Sequence, residues 1–388
     1  MKTKNIKASV CALLVLCLVC FGMLTGCGGS SKADSEGKKT APPISGLTYE
    51  STMKLDYAQA FDVYHYKDGY SLIDVHDDAS YLVVPEDGQV PEDLDEKIVV
   101  IKQPAANIYM GATSAMALFD AMDALDSIRM TELKASGWSI KGAAKAMENG
   151  KILYAGKYNE PDYEMILDNN CGLAVESTMI YHCPEVKEML EDLGIPVLVD
   201  HSSYEPNPLG RTEWIKLYGV VCGKEKEAEA FFDEQKSVIS DLAEFKNTEK
   251  TVAFFYVTTD GKVVVRRSSD YVPTMIEIAG GRYVFKNLAG EEDKASISMT
   301  MESFYDQAAD ADYIVYNGSI DNTVRSLDDL LDKDEIFQKF KAVKNGNCWT
   351  TGSSMYQRTD VVSNMIMDFH KVLTEESPKG LEFLTKLE

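Results

Sequence analysis

Histidine is scarce in this sequence. There are five among 388 residues: His65, His76, His182, His201 and His370. No two have the helix or strand spacing that chelates a metal, so a zinc or manganese site built on clustered imidazoles has little to draw on. His182 and His201, near the ends of two expected neighbouring strands, keep a two-histidine site as the metal-binding alternative. Gly-x-Ser-x-Gly, a phosphate-binding loop, Gly-x-Gly-x-x-Gly and His-Glu-x-x-His are all missing, so nothing points to an enzyme and no cofactor is expected. Positive charge is short too. The net charge of −23 argues against nucleic acid as a partner. Cys-x-x-Cys pairs are absent after the leader. Cys171, Cys183, Cys222 and Cys348 are left as disulfide partners or buried thiols, with both readings open.

What is present begins with a targeting segment. Residues 1–26 carry Lys2, Lys4 and Lys7, then an apolar run from Ala8 to Met23 that is short for a membrane span. The run ends Leu24-Thr25-Gly26-Cys27, which resembles a lipobox, with Cys27 as the lipidated residue. Residues 27–46, rich in Gly, Ser and Lys, read as a flexible tether. The expected location is extracytoplasmic, lipid-anchored to the outer face of the cell membrane.

The remaining length and the hydrophobic content of 45% suit two medium domains. Buried strands alternate with helices, the signature of α/β layers. Val63–Tyr66 and Tyr70–Val75 flank Lys67-Asp68-Gly69 and predict a hairpin. Ala135–Gly156 reads as a Gly- and Lys-rich surface region, Asn287–Lys294 as a polar loop and Leu327–Val343 as helical. Asn207 is a good N-cap, with Pro208 in the first helical position. After a turn at Cys222-Gly223, residues 224–245 predict a long amphipathic helix with Ala228, Phe231, Phe232, Gln235, Val238, Ile239 and Leu242 on one face. At that length it spans roughly 30 Å. The expected architecture is two Rossmann-like α/β lobes, 47–223 and 246–388, joined by this helix, with a ligand cleft between them.

The halves echo each other. Glu164 lies on a short helix before the strand at Leu173, and Glu302 lies on a short helix before the strand at Tyr313. Alone, each reads as a carboxylate favoured by a helix start. Together with Cys27, the Pro208–Ile215 run (Pro-Leu-Gly-Arg-Thr-Glu-Trp-Ile) and the Met275–Gly281 run (Met-Ile-Glu-Ile-Ala-Gly-Gly), however, the chain resembles a known family. These are the lipid-anchored substrate-binding proteins of ABC importers for iron complexes (siderophores, haem) and vitamin B12. The resemblance implies two lobes bridged by one helix, a monomer, and an ABC permease dimer with a cytoplasmic ATPase as partner. It also implies that Glu164 and Glu302 dock onto permease arginines. The implied ligand is a ferric siderophore, haem or a corrinoid.

Ligands of open α/β sheets sit outside the carboxyl ends of the strands. The loops expected there carry Tyr109, Tyr204, Arg267, Tyr271, Asn317, Trp349, Tyr356 and Arg358. Arginines suit an anionic iron complex, and aromatic rings suit its walls or a flat macrocycle.

Overall fold

The computed structural model describes residues 40–288 and 295–388. The leader, Cys27, the tether up to residue 39 and residues 289–294 of the expected polar loop lie outside the described residues.

The predicted hairpin forms. Asp68 (φ 64°) and Gly69 (φ 83°) both take the left-handed backbone that an Asp-Gly turn needs. The hairpin belongs to a five-stranded sheet of β1 (Tyr49–Thr52), β2 (Phe61–Tyr66), β3 (Ser71–Val75), β4 (Ser80–Val84) and β5 (Ile98–Lys102), paired in that order. Side chains alternate between its faces. Tyr64, Tyr66, Leu72, Leu82 and Val84 form a small core with Ile44. Val63, Ile73, Tyr81, Val83 and Ile101 join the core of the first lobe. These strands form a sheet separate from the lobe's parallel sheet and share its core.

The lobe's own sheet is built from β6 (Ile108–Met110), α1 (Met116–Ala121), β7 (Ile128–Thr131), α2 (Lys141–Glu148) and β8 (Leu153–Tyr154). A ribbon of β9 (Gly156–Lys157) and β10 (Glu160–Pro161) follows. Then come α3 (Tyr163–Asp168), β11 (Ala174–Ser177), α4 (Pro184–Asp192) and β12 (Val197–Asp200). The sheet order is β12-β11-β6-β7-β8, parallel throughout. Helix α2 lies within residues 135–156, the stretch expected at the surface. Its alanines favour helix, and Ala143, Ala144, Ala146 and Met147 pack on the lobe core.

Two helices come next, α5 (Pro208–Cys222) and α6 (Glu225–Val238). Asn207 Oδ1 caps α5 by accepting from Leu209 N at 2.9 Å, and Gly223 ends it in the left-handed region. A Cβ on Gly219 would stand 2.8 Å from Ala228 Cβ, so the two helices pack where their side chains are smallest. The bridging helix is shorter than predicted: it stops at Val238, and Ser240–Glu244 is a 3-10 turn.

The second lobe contains β13 (Thr251–Val257), β14 (Val263–Arg266), α7 (Tyr271–Ile278), β15 (Arg282–Tyr283), β16 (Ser296–Met299), α8 (Met301–Ala308) and β17 (Tyr313–Tyr316). It ends with α9 (Leu327–Lys333), α10 (Lys341–Lys344), β18 (Cys348–Thr351), α11 (Val362–Thr374) and β19 (Leu384–Lys386). The order is β16-β14-β13-β17-β18-β19, with β15 also on β13. β13, β17 and β18 run parallel, while β14, β16 and β19 are antiparallel additions. The helix predicted over 327–343 breaks at Asp334, an extended residue whose carboxylate accepts from Ile336 N to start a new turn. The two-lobed α/β architecture expected from the sequence is the one observed.

Candidate functional site at the lobe interface

The loop after β18 touches the first lobe. Gln357 accepts from Ser139 N at 2.7 Å and donates to Gly137 O at 2.9 Å. Thr359 Oγ1 donates to Ser114 O at 2.5 Å, and Thr359 O accepts from Thr212 Oγ1 at 2.8 Å. The carboxyl ends of β6 and β7 therefore face the carboxyl end of β18, which is where open α/β sheets hold ligands.

The second-lobe wall is built around Tyr356. Its hydroxyl is bonded by Arg266 Nη2 and, at 2.7 Å, by Asn317 Nδ2. Arg266 also pairs with Asp270 at 3.4 Å, and Asp270 caps α7 by accepting from Val272 N. Arg211 arrives from α5 and lies 4.1 Å from the centre of the Tyr271 ring. Arg267, next to Arg266, is buried. Arg267 Nε, Tyr271 Oη, Asn317 Oδ1 and Arg211 Nε are buried without a hydrogen-bond partner. Burial pushes the Tyr271 and Tyr356 hydroxyls up and raises the Asp270 carboxyl, with Arg266 opposing the rise at Asp270. The Arg266 and Arg211 guanidiniums thus share one aspartate, and with Arg267 buried next in the chain they leave a wall of positive character.

The first-lobe wall has a different make-up. Met179, Tyr181 and Tyr204 stand exposed after β11 and β12, and Ile320 is exposed after β17 on the facing lobe. Tyr181 Oη donates to Asp78 at 2.9 Å and lies 3.0 Å from His201 Nε2. His201 is thereby engaged, and His182 is exposed. Among the described residues no group of three or more His, Cys, Asp or Glu is placed to hold a metal ion. All four described cysteines are free, and burial pushes Cys222 and Cys348 up to about 12.

Tyr271, Asn317 and Tyr356 are brought together, Arg267 is buried with its Nε unpaired, and Tyr204 is exposed after β12. Three candidates fall elsewhere. Tyr109 points into the core of the first lobe with Met130, Ile166 and Ala174, because the pleat turns it to that face. Trp349 lies near the start of β18 and lines a groove of about 620 Å³ with Lys250 and Tyr313, at the amino ends of the strands. Arg358 is held by Asp360 at 2.9 Å and by Glu382 at 3.7 Å, so its charge is already matched. Arg211 and Arg266 join this wall in addition to the expected residues, Arg266 at the start of the strand-end loop that runs to Tyr271. Nothing local marks Arg211. Glu164 and Glu302 are both exposed in the first turns of α3 and α8, the helices that lead into β11 and β17.

The sequence profile of the periplasmic binding proteins matches residues 113–355. The chain belongs to this family. Such proteins bind small ligands and work with ABC transporter permeases, so this periplasmic binding protein captures a solute and is not an enzyme. Two uncharacterized lipoproteins of Methanocaldococcus jannaschii are similar along nearly the whole length. One is 25% identical over 400 residues, covering 95% of this chain and 94% of its own. The other is 24% identical over 387 residues, covering 94% and 95%. Among solved structures, a possible iron-binding periplasmic solute-binding protein of Staphylococcus epidermidis matches 69% of this chain and 98% of its own, with TM-score 0.54 and 16% identity. A periplasmic heme binding protein of Pseudomonas aeruginosa matches 74% and 98%, with TM-score 0.55 and 14% identity. These are likenesses of fold. The sheet β1–β5 precedes the matched segment. Among the described residues no helix is long and apolar enough to cross a membrane.

Proposed function

We propose that this periplasmic binding protein captures an iron complex, a ferric siderophore first of all, and delivers it to an ABC permease from a lipid anchor at Cys27. The observation that carries this reading is the second-lobe wall. Arg211 and Arg266 share Asp270, and Arg267 Nε, Tyr271 Oη and Asn317 Oδ1 are buried without partners. Buried polar groups left unpaired are costly, and an anionic, amide-rich complex supplies what they lack. The iron and heme named for the two structural neighbours agree with that chemistry. The exposed Met179, Tyr181, Tyr204 and Ile320 favour haem or a corrinoid as the second reading, because a flat macrocycle would cover them.

The test is tryptophan fluorescence of the purified monomer, with Trp138 beside the Gln357 contact as reporter, titrated with ferric hydroxamates, ferric catecholates, haemin and cobalamin. Saturable one-to-one quenching by an iron complex supports the reading. Binding of none of them ends it, and binding of cobalamin alone moves the assignment to a corrinoid. Docking is tested separately. Glu164 and Glu302 present matched carboxylates on the two lobes, which would fix orientation and encounter rate at a permease. Charge reversal at both is expected to abolish uptake with ligand affinity unchanged, and normal uptake by that double variant removes the docking role.

A further inference from the structure

Glu132 and Glu176 had no part in the sequence reading, yet they stand at the reversal point of the first lobe's sheet. The chain winds from β6 to β7 and β8 on one side, then returns to place β11 and β12 on the other. The crevice at such a reversal is the preferred ligand position in open α/β sheets. Glu176, the third residue of β11, is fully buried, and neither carboxylate oxygen has a hydrogen-bond partner. It lies over Gly111 at the end of β6. A Cβ there would stand 2.2 Å from Glu176 Oε2, so the glycine leaves room for the carboxylate. Glu132, just after β7, accepts from Tyr158 N at 3.0 Å.

The surroundings of the pair are not those of a finished ion pair. Lys157 on β9 acts on Glu132, while Tyr109 on β6, Tyr163 on α3 and Cys171 before β11 are the groups that feel Glu176. Burial pushes Glu132 up to about 7 and Glu176 well above the carboxylate range, with Glu132 adding to the rise at Glu176. A glutamine at position 176 would fill the same space without the burden of an ionisable group. The retained carboxylate thus points to a ligand rather than to packing.

We propose that Glu132 and Glu176 form a subsite for a cationic, N–H-rich edge of the ligand, such as an alkylammonium, opposite the arginine wall of the second lobe. The ligand is therefore dipolar, with its donor edge toward the first lobe and its anionic edge toward Arg266 and Arg267. This rests on the solute-capture reading above. Entry of the ammonium replaces a proton held by the pair, and that proton passes to solvent.

The probes are a ferric trihydroxamate bearing a free ammonium and its N-acetylated form, titrated calorimetrically into wild type, Glu176→Gln and Glu132→Gln at pH 6 and pH 8. Wild type is expected to prefer the ammonium form by about tenfold or more, with stronger binding at pH 8 and proton release seen as a buffer-dependent heat. Glu176→Gln, which keeps the shape, should lose the preference and the proton release yet bind the acetylated form as wild type does. Glu132→Gln is the second variant should the first fold poorly, and it should show the same loss. Equal wild-type affinity for the two forms, or an unchanged preference in both variants, overturns the subsite alone. So does capture of only those complexes that lack a cationic edge. If wild type binds no iron complex, haemin or cobalamin at all, the capture reading fails and the subsite falls with it.

Discussion

Helices α5 and α6 lie side by side and solve opposite problems. Every residue of α5 is buried, including Arg211, Glu213 and Lys216, whereas α6 buries only Ala228, Phe232 and Gln235 of its fourteen. Of the charges of α5, Glu213 and Lys216 are held by partners, while Arg211 has only the Tyr271 ring. Glu213 accepts from the amides of Asp56, Tyr57 and Ala58 at 2.7–2.8 Å and pairs with Lys216 at 3.1 Å. Lys216 reaches Glu229 at 3.1 Å and sits over the Phe232 ring, both on α6. Glu205, just before α5, accepts from Gln59 N, Ala60 N and Trp214 Nε1. The same division runs through the cleft. Arg358 has its carboxylates, while Arg267 and Glu176 have polar atoms left over. A buried charge with all its partners builds the fold, and one without them waits for something outside the chain.

Breaking the satisfied side should cost most. Glu213→Ala leaves three amides and Lys216 without their acceptor and should lower stability by about 3–5 kcal/mol. Denaturant melts measure this, and the ligand affinity of the folded protein should not change. Gln235→Pro, in the middle of α6, should cost about 3 kcal/mol or more and also remove the contact of Gln235 with Ser363 on α11. A loss confined to a few tenths of a kcal/mol would mean that α6 does not stiffen the join.

The unsatisfied side is probed by pH and by ligand. Glu132 releases its proton near 4.5 when unfolded and at about 7 when folded. Between those values the folded state holds more protons, so this group makes stability fall as pH rises through that window, by up to about 3 kcal/mol. Glu132→Gln should flatten that part of a melting-temperature profile. Arg267→Ala should leave the melting temperature nearly unchanged and weaken an anionic iron complex by about tenfold or more, roughly 1.4 kcal/mol. Arg358→Ala, whose guanidinium is already matched, should weaken it by less than about threefold. Equal losses at the two arginines would dissolve the distinction between them.

These contrasts also explain what the sequence could reveal. The Asp68-Gly69 turn, the Asn207-Pro208 helix start and the apolar stripe of α6 are local, and each was legible. The placement of Glu164 and Glu302 before central strands was legible as an echo between halves. Helix α5 has no polar face because all of its faces are covered, so its period says nothing about which neighbour each side meets. Arg211 reaches Tyr271 only because the lobes are folded against each other. Glu176 follows Leu-Ala-Val and reads as the polar end of a buried strand. Its isolation depends on Gly111, sixty-five residues earlier in the chain. Loop position alone points Tyr109 and Trp349 at the cleft, but the pleat aims Tyr109 into the core and Trp349 sits toward the amino end of β18.

The clamp on residues 56–60 bears on where this protein can be divided. The family match begins at residue 113, which invites trimming the chain to a minimal binding unit that starts near β6. Such a trimmed chain would keep Glu205 and Glu213 but lose all five amides that they bind, together with the sheet face formed by Val63, Ile73, Tyr81, Val83 and Ile101. Residues 56–101 are therefore no detachable appendage. Any transplant of this cleft into another scaffold has to carry them along.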